Sequence, residues 1–551
     1  MISFPKLHQV AESSDKVRAA LKEIASQLRE LDLEGHRIDE KEILRVKTSA
    51  CRQFGLDRVP SNSEVLEHVA PEARKSLESK LRRKRVRTAS GIAVVTVITK
   101  PFDCPHGTCT FCPGGTRIGT PQSYTKSSPA TVFGSARNWD PSRQVIDTLR
   151  HLEESGHDTS KVELILLGGT VLAIPREYFT DFVKSCYDAL NGEQSSSLDS
   201  AMKKNEMSQD HRCVGLTIET KPDWCRPEEV DRLLCYGTTR VEIGVQSLRE
   251  DVLKFVNRGH SLSDTVSAFQ VSRDSALKIV AHVMPGLPKS DPDKDLADLL
   301  ALFEDERYRP DMLKIYPTLV VPGTALEREY SVGIYKPYSI QELKELLIKF
   351  KASVPPWVRI MRIHREIPKE EVSAGTASTG NLRQIILDEM RDRKLSCRCI
   401  RCREIGRFVG KQGSTSNPNL VLKRVDYEAS GGSEVFLSFE DPESDSLHGF
   451  VRLRIPSGKE HRPEIRDQRA ALIRELHVYG PVASLRTRET KREPLQAQHR
   501  GLGSSLLVEA ERIAGSEFSR KKLVVISAVG TKEYYRKRGY LDDGVYVSKG
   551  I

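Results

Sequence analysis

Residues 91–115 read GIAVVTVITKPFDCPHGTCTFCPGG, an apolar run followed by a loop that carries Cys104, Cys109 and Cys112 at C-x4-C-x2-C spacing. The run GIAVVTVIT is rich in β-branched residues and apolar on both faces, as expected of a strand buried inside a parallel sheet. Three thiolates can hold three irons of a cubane cluster and leave the fourth iron open to another molecule. A closed zinc site takes four ligands, and His106 as the fourth would give that alternative.

Working outward, short apolar runs recur after this strand: KVELILLGG, VGLTIET, TRVEIGVQS, LKIVAHVMPGLP and MLKIYPTLVV. The intervals are long enough for crossover helices, so the fold class is α/β, a (β/α) barrel or partial barrel. Such barrels place their chemistry at the C-terminal ends of the strands. The polar residues there are Gly168, Gly169 and Thr170, then Glu219, Glu242 and Gln246, and His282. Taken singly, the glycines could be a turn and the others an ordinary polar rim. Residues 191–209 are polar and Ser-rich, which predicts a flexible surface loop. Towards the N-terminus, Val17, Leu21, Ile24, Leu28 and Leu31 recur at helical spacing after a Ser13 or Ser14 cap. From about Leu420 a second α/β unit begins, with strands EVFLSFE, HGFVRLRI, LIRELHVYG and KLVVISAVG.

The 551 residues exceed one ordinary core, so two or more domains are expected. A composition of 38% hydrophobic and 29% charged residues excludes a disordered chain. The apolar runs are too short to span a bilayer, and MISFPKLHQV shows no secretory leader, which together predict a cytoplasmic protein with no membrane partner. The net charge of +10 is concentrated. Between residues 74 and 87 lie Arg74, Lys75, Lys80, Arg82, Arg83, Lys84, Arg85 and Arg87 against Glu78 alone. That stretch is either a polyanion-binding segment or a solvated helix end. Eleven cysteines without a leader argue against a disulfide framework. Beyond the first group, Cys397, Cys399 and Cys402 are spaced for zinc, with His364 as the expected fourth ligand; free surface thiols are the alternative.

Gln498, His499, Arg500, Gly501, Leu502 and Gly503 precede the helical SSLLVEAERIA. A glycine turn opening a helix offers free N–H groups and the positive helix end to a phosphate. The Q-x-x-G-x-G pattern, between IRELHVYG and ISAVG…YYRKRGY, resembles the pyrophosphate loop of GNAT acetyltransferases. The segment CPHGTCTFCPGG, flanked by GIAVVTVITKPFD and QSYT, resembles the radical S-adenosylmethionine (SAM) core of the Elongator catalytic-subunit family. Most radical SAM enzymes have three residues between the first two cysteines, where this chain has four.

That resemblance implies a radical SAM partial barrel joined to a GNAT-type α/β domain and a helical, basic N-terminal region. The expected divisions are 1–90 (tRNA-binding), 91–390 (barrel), 391–410 (zinc linker) and 411–551 (acetyl-CoA domain). It implies that a 4Fe-4S cluster on Cys104, Cys109 and Cys112 binds SAM, supported by Gly168, Gly169, Thr170 and Glu219. It implies that Glu475, Leu476, His477 and Val478 line the acetyl-CoA strand, that Leu502, Gly503 and Ser504 contact the pyrophosphate, and that Lys161 and Tyr535 reach the cofactor. Lys161, Tyr534 and Tyr535 are the implied catalytic side chains. The implied reaction is carboxymethylation at carbon 5 of the tRNA wobble uridine: hydrogen abstraction from the acetyl methyl group, addition to the ring, then thioester hydrolysis. The anticodon loop, acetyl-CoA, and accessory subunits or a second copy are the implied partners. A protein lysine acetyltransferase with a structural barrel is the rival function.

Overall fold

The computed structural model describes residues 6–36, 38–56, 59–60, 62–81, 91–376, 381–407, 419–466, 468–479 and 501–551. These form two compact units. One comprises the helices Lys6–Leu33, Glu40–Phe54, Asn62–Glu67 and Pro71–Leu81, together with residues 147–159. Its core buries Leu21, Ile24 and Leu28 of the first helix against Ile43, Val46, Val65, Leu66, Leu77 and Leu81. The predicted apolar stripe is thus the buried one, but the helix runs through Ser13 and Ser14 instead of starting after them.

The second unit holds two seven-stranded sheets. The first contains β1 (Ala93–Ile98), β2 (Lys161–Leu167), β3 (Arg212–Thr220), β4 (Arg240–Gln246), β5 (Lys278–Val283), β6 (Met312–Ile315) and β7 (Arg359–Ile363), in sequential order. All six pairings are parallel. β1 and β7 are not neighbours, so the sheet is an open partial barrel. β7 escapes a hydropathy reading because Arg359 and Arg362 interrupt its five residues.

The strands of the second sheet are β8 (Val421–Ala429), β9 (Gly432–Asp441), β10 (Ser446–Ile455), β11 (Ala470–Val478), β12 (Lys522–Val525), β13 (Leu541–Asp543) and β14 (Tyr546–Gly550). Their order is β13-β14-β12-β11-β10-β9-β8. The helix Leu502–Ser516 packs on this sheet, burying Leu506, Leu507, Ala510 and Ile513.

The two sheets are joined by buried charge. Arg474 on β11 pairs with Asp311 (2.5 Å) and Glu434 (2.9 Å) and donates to the Leu277 carbonyl. Arg454 on β10 pairs with Asp274, and Arg452 pairs with Glu475 while donating to the Trp357 carbonyl. Arg273 spans to Glu434 (3.4 Å). All four arginines are fully buried, and four carboxylates balance them. Leu277, Asp311 and Trp357 sit just ahead of β5, β6 and β7, so the C-terminal sheet is docked on the N-terminal rim of the partial barrel. The C-terminal rim stays clear for chemistry.

The segment at 191–209 is ordered rather than a flexible loop. Ser197 caps the helix Leu198–Met207, and the buried Asn205 carboxamide bonds Asn191, the His211 carbonyl and the Cys213 N–H. A serine-rich composition can cap a helix as readily as it can leave one out. Among the described residues no helix is long and apolar enough to cross a membrane.

Candidate functional site

The loop after β1 folds across the C-terminal rim and is pinned there by backbone bonds from Thr110 N–H to the Val256 carbonyl and from Leu326 N–H to the Thr110 carbonyl. Cys109 and Phe111 pack with Val252, Val256, Met284 and Leu326 beneath it. This brings each cysteine to a different partner. Cys104 Sγ lies 3.6 Å from Thr170 Oγ1. Cys112 Sγ accepts from the Ser123 N–H (3.2 Å) and donates to Gln122 Oε1 (3.1 Å). Cys109 Sγ meets His106 Nε2 at 3.2 Å and Arg258 at 3.9 Å.

Burial raises the Cys104 thiol and pushes Cys112 up to about 11. A metal bound to a thiol reverses that, because a coordinating thiol is deprotonated outright. Among the described residues the ligand sets whose atoms all lie within 4.8 Å of one another are Cys397/Cys399/Cys402 and Glu219/Glu242/His282. Cys104, Cys109 and Cys112 are not such a set, with or without His106. They are spread more widely than one ion would hold them, in keeping with a cluster whose ligands sit on separate irons.

The surroundings suit an anionic group. Lys221 and Arg258 are buried close by, and burial, with their charge added, lowers His106 to about 3 and His260 to about 2. Arg258 Nε and Arg365 Nη1 are buried without a hydrogen-bond partner among the described residues. Gly168 and Gly169 follow β2, Gly169 with φ +78°. A Cβ at Gly169 would stand 3.9 Å from Cys104 Sγ, and one at Gly168 would collide with Thr99 Oγ1. This is a cradle that only backbone can line.

Behind it lies a row of charges. Glu219 and Glu242 are register partners on β3 and β4, and His282 and Lys314 are partners on β5 and β6. Glu242 is fully buried, accepts from His282 Nε2 at 2.8 Å and pairs with Lys314. Burial opposes the charge on Glu242, but Lys314 and His282 outweigh it and hold the carboxyl well below the usual range. Half-buried Glu219 goes the other way, raised to about 7 by burial and by the Glu242 charge. Gln246, which ends β4, adopts a left-handed φ of +71°.

Lys161 is the first residue of β2, at the N-terminal rim, with six more strand residues between it and Gly168. It stands across the barrel from the cysteine loop, on the side of the C-terminal sheet. Gly530 of that second sheet's unit packs onto Arg212, the register partner of Lys161 on β3.

Cys397, Cys399 and Cys402 converge, hydrogen-bonded to one another, with buried Lys351 donating to Cys402 Sγ at 3.8 Å. The expected fourth ligand, His364, does not join them. Ile400 N–H bonds the Val358 carbonyl just before β7, while His364 follows the last residue of that strand. At about 3.3 Å per strand residue the two lie on the order of 20 Å apart. Sequence spacing could not show that a strand intervenes.

In the C-terminal sheet, β11 and β12 pair only from Ala470 to Ile473, and β11 then runs on to Val478. Among the described residues the register with β12 thus stops before Glu475, where the edge expected to line acetyl-CoA begins. Of its side chains, Glu475 is tied to Arg452, Leu476 faces the core, and His477 packs between Phe450 and Tyr479. Opposite stands the N-terminus of Leu502–Ser516, with Gly501 at φ +79°. A Cβ at Gly503 would meet Tyr534 Oη at 2.9 Å and Val478 at 3.5 Å. Arg538 stacks on Tyr534 (3.6 Å) and donates to Ser504 Oγ (2.8 Å), a cation at the helix start that the sequence reading missed. Tyr535 is buried in the core against Tyr540, so Tyr534 is the member of the pair beside Gly503. Gln498, His499 and Arg500 lie outside the described residues, as do Arg82, Arg83, Lys84, Arg85 and Arg87.

An open parallel half-barrel with three cysteines after its first strand and a glycine pair after its second is the architecture of a radical SAM protein. Comparisons agree: the radical SAM superfamily is matched over residues 99–302, its C-terminal domain over 310–392, and the ELP3 N-terminal domain over 17–89. The chain is 45% identical to the tRNA uridine(34) acetyltransferase of Methanocaldococcus jannaschii, over 94% of this chain and 95% of that one. It is 42% identical to human Elongator complex protein 3, over 96% of each. A solved structure of archaeal Methanocaldococcus infernus Elp3 lacking residues 1–46 superposes with TM-score 0.73 at 42% identity, covering 84% of this chain and all of that one. The chain belongs to the Elongator complex protein 3 family.

Proposed function

We propose that this protein is a tRNA wobble-uridine carboxymethylase that uses SAM and acetyl-CoA. The observation that carries the proposal is the coexistence, in one compact unit, of a three-cysteine radical SAM site and a helix that opens on Gly501 and Gly503 with Arg538 beside its first turn. The relatives named for tRNA uridine(34) support the substrate.

Cys104, Cys109 and Cys112 would hold a 4Fe-4S cluster, and their donor set, their spread and the buried cations around them fit that group. With SAM bound, the cluster would supply a one-electron route to a carbon-centred radical on the acetyl methyl group, which can add to the 5,6 double bond of uracil at carbon 5. Gly168 and Gly169 leave room beside Cys104 for SAM. Lys221, Arg258 and Arg365 offset the negative charge of thiolates and a carboxylate in a buried site, where unpaired charge is costly. Glu219, near neutrality in its titration, can exchange a proton at its carboxyl while Glu242 stays charged against Lys314 and His282. At the other site the backbone N–H groups at Gly503 and Ser504, with the helix dipole and Arg538, would bind the pyrophosphate of acetyl-CoA. Tyr534 closes the space over Gly503.

Cys397, Cys399 and Cys402 would hold zinc. Buried Lys351 balances the single negative charge left by three thiolates on a divalent ion. The fourth position is open to water or to a residue outside the described ones. The cytoplasm supplies all these substrates and is the proposed location.

Anaerobic incubation of the reconstituted protein with SAM, acetyl-CoA labelled in its acetyl group, and tRNA, followed by nucleoside mass spectrometry, tests the proposal. Labelled carboxymethyluridine is expected. Acetylated protein lysines with unmodified tRNA would favour the lysine acetyltransferase reading instead.

A further inference from the structure

At the C-terminal rim the loop that carries the cysteines and the helix that follows β2 bring aromatic rings together, and neither the cluster nor acetyl-CoA gives them a task. Phe102 lies two residues before Cys104, in the loop after β1. Tyr178 lies on the helix Arg176–Asn191, which follows Gly169 and Thr170. Their ring centroids are 5.2 Å apart at 58°. Both rings are half-buried, and they continue an aromatic row through Phe182 (6.1 Å from Tyr178) to Phe179, which are buried. The exposed ammonium of Lys100 covers them, 4.7 Å from the Tyr178 centroid and 5.4 Å from that of Phe102.

From residue 100 to 140 the chain carries Lys100, Arg117, Lys126 and Arg137 against Asp103, whose carboxylate already accepts from Thr116, and Asp140, and Arg176 and Glu177 precede Tyr178 on its helix. Arg117 and Lys126 are exposed. An aromatic pair beneath an exposed cation, at the rim of a site, is a combination that binds single-stranded nucleic acid: the rings stack on bases and the cation meets a phosphate.

We propose that Phe102 and Tyr178 form a stacking platform for a base of the splayed anticodon loop, and that Lys100 leaves the rings to contact a flanking phosphate. The proposal rests on tRNA being the substrate. The exchange is favourable because an exposed cation–π contact is weaker than base–aromatic stacking. The freed ammonium also gains a phosphate, whose counterions are released. Placed two residues from Cys104, the platform holds a base close to the reacting centre.

The test uses the full-length protein and an unmodified anticodon stem-loop carrying a wobble uridine, with binding measured at several salt concentrations. Tyr178→Ala and Phe102→Ala should each weaken binding by about ten-fold. Tyr178→Phe should bind like the parent, since the ring alone stacks. Lys100→Gln should reduce the slope of log affinity against log salt by roughly 0.7, the share of one single-stranded phosphate. As a readout that a packing defect would not produce, Tyr178→Trp should show fluorescence quenched by the stem-loop beyond the background from Trp139, Trp224 and Trp357. If the introduced tryptophan stays unquenched on a stem-loop bound with parental affinity, or if Tyr178→Ala binds as tightly as the parent, the platform is overturned while the tRNA reading stands. A parent protein that binds no stem-loop overturns both.

Discussion

Glu219 and Glu242 are neighbours with opposite titrations, and the difference comes from where the cations stand. Lys314 and His282 are spent on Glu242, so Glu219 meets burial and a like charge and is raised to about 7. A carboxyl with a raised folded pKa is favoured protonated. Its stabilising contribution is therefore full below the unfolded value near 4.5 and is lost as pH climbs towards 7. Glu219→Gln, which cannot ionise, should flatten the fall in melting temperature between pH 5 and pH 8 relative to the parent. A variant with an unchanged pH profile would show that Glu219 is already ionised at low pH. The residue itself was legible from its place at a strand end, whereas its neighbour Lys314 was not, because nothing local in MLKIY marks a lysine as pointing inward. Arg258, Arg365 and Arg538 were missed for the same reason. They reach their sites from other elements, through folding alone.

At the scale of elements, the docking of the C-terminal sheet rests on charges with no solvent to fall back on. Removing one partner of a buried pair strands the other, which typically costs about 3–5 kcal/mol. Asp311→Asn, facing Arg474 at 2.5 Å, should lower the unfolding free energy by about that amount, read by denaturant titration, and a drop below about 1 kcal/mol would show that water or rearrangement rescues Arg474. The Cys397, Cys399 and Cys402 group brackets the start of β7. Its triple Cys→Ser variant should lose one zinc per chain and melt at lower temperature, since structural zinc contributes folding energy. Zinc content equal to the parent's would rule the site out. Six strands of the partial barrel and four of the second sheet were legible because each keeps several apolar residues in a row or in alternation, which the five residues of β7 do not. β7 was hidden by its two arginines, and β8 by an edge position that alternates exposed and half-buried side chains. His364 was misassigned because sequence distance conceals that β7 separates it from the cysteines.

Over the whole molecule, the partial barrel presents its cysteine rim on one side and is closed by the second sheet on the other. The basic segment at 82–87 lies outside the described residues, so its expected role in holding tRNA is a matter for solution experiments. Charge reversal at Arg82, Arg83 and Lys84 should weaken tRNA binding and reduce its salt slope by roughly 0.7 to 0.9 for each phosphate no longer neutralised, with acetyl-CoA affinity unchanged. An unchanged slope would make the segment a solvated helix end.

We propose that a radical generated at Cys104, Cys109 and Cys112 takes a hydrogen atom from the acetyl group of acetyl-CoA held at the second sheet. The most direct measurement supplies acetyl-CoA deuterated in its acetyl methyl to the anaerobically reconstituted protein with SAM and tRNA, and analyses the 5′-deoxyadenosine by mass spectrometry. One deuterium in 5′-deoxyadenosine is expected for each carboxymethyluridine formed. Carboxymethyluridine accompanied by 5′-deoxyadenosine free of deuterium would contradict it.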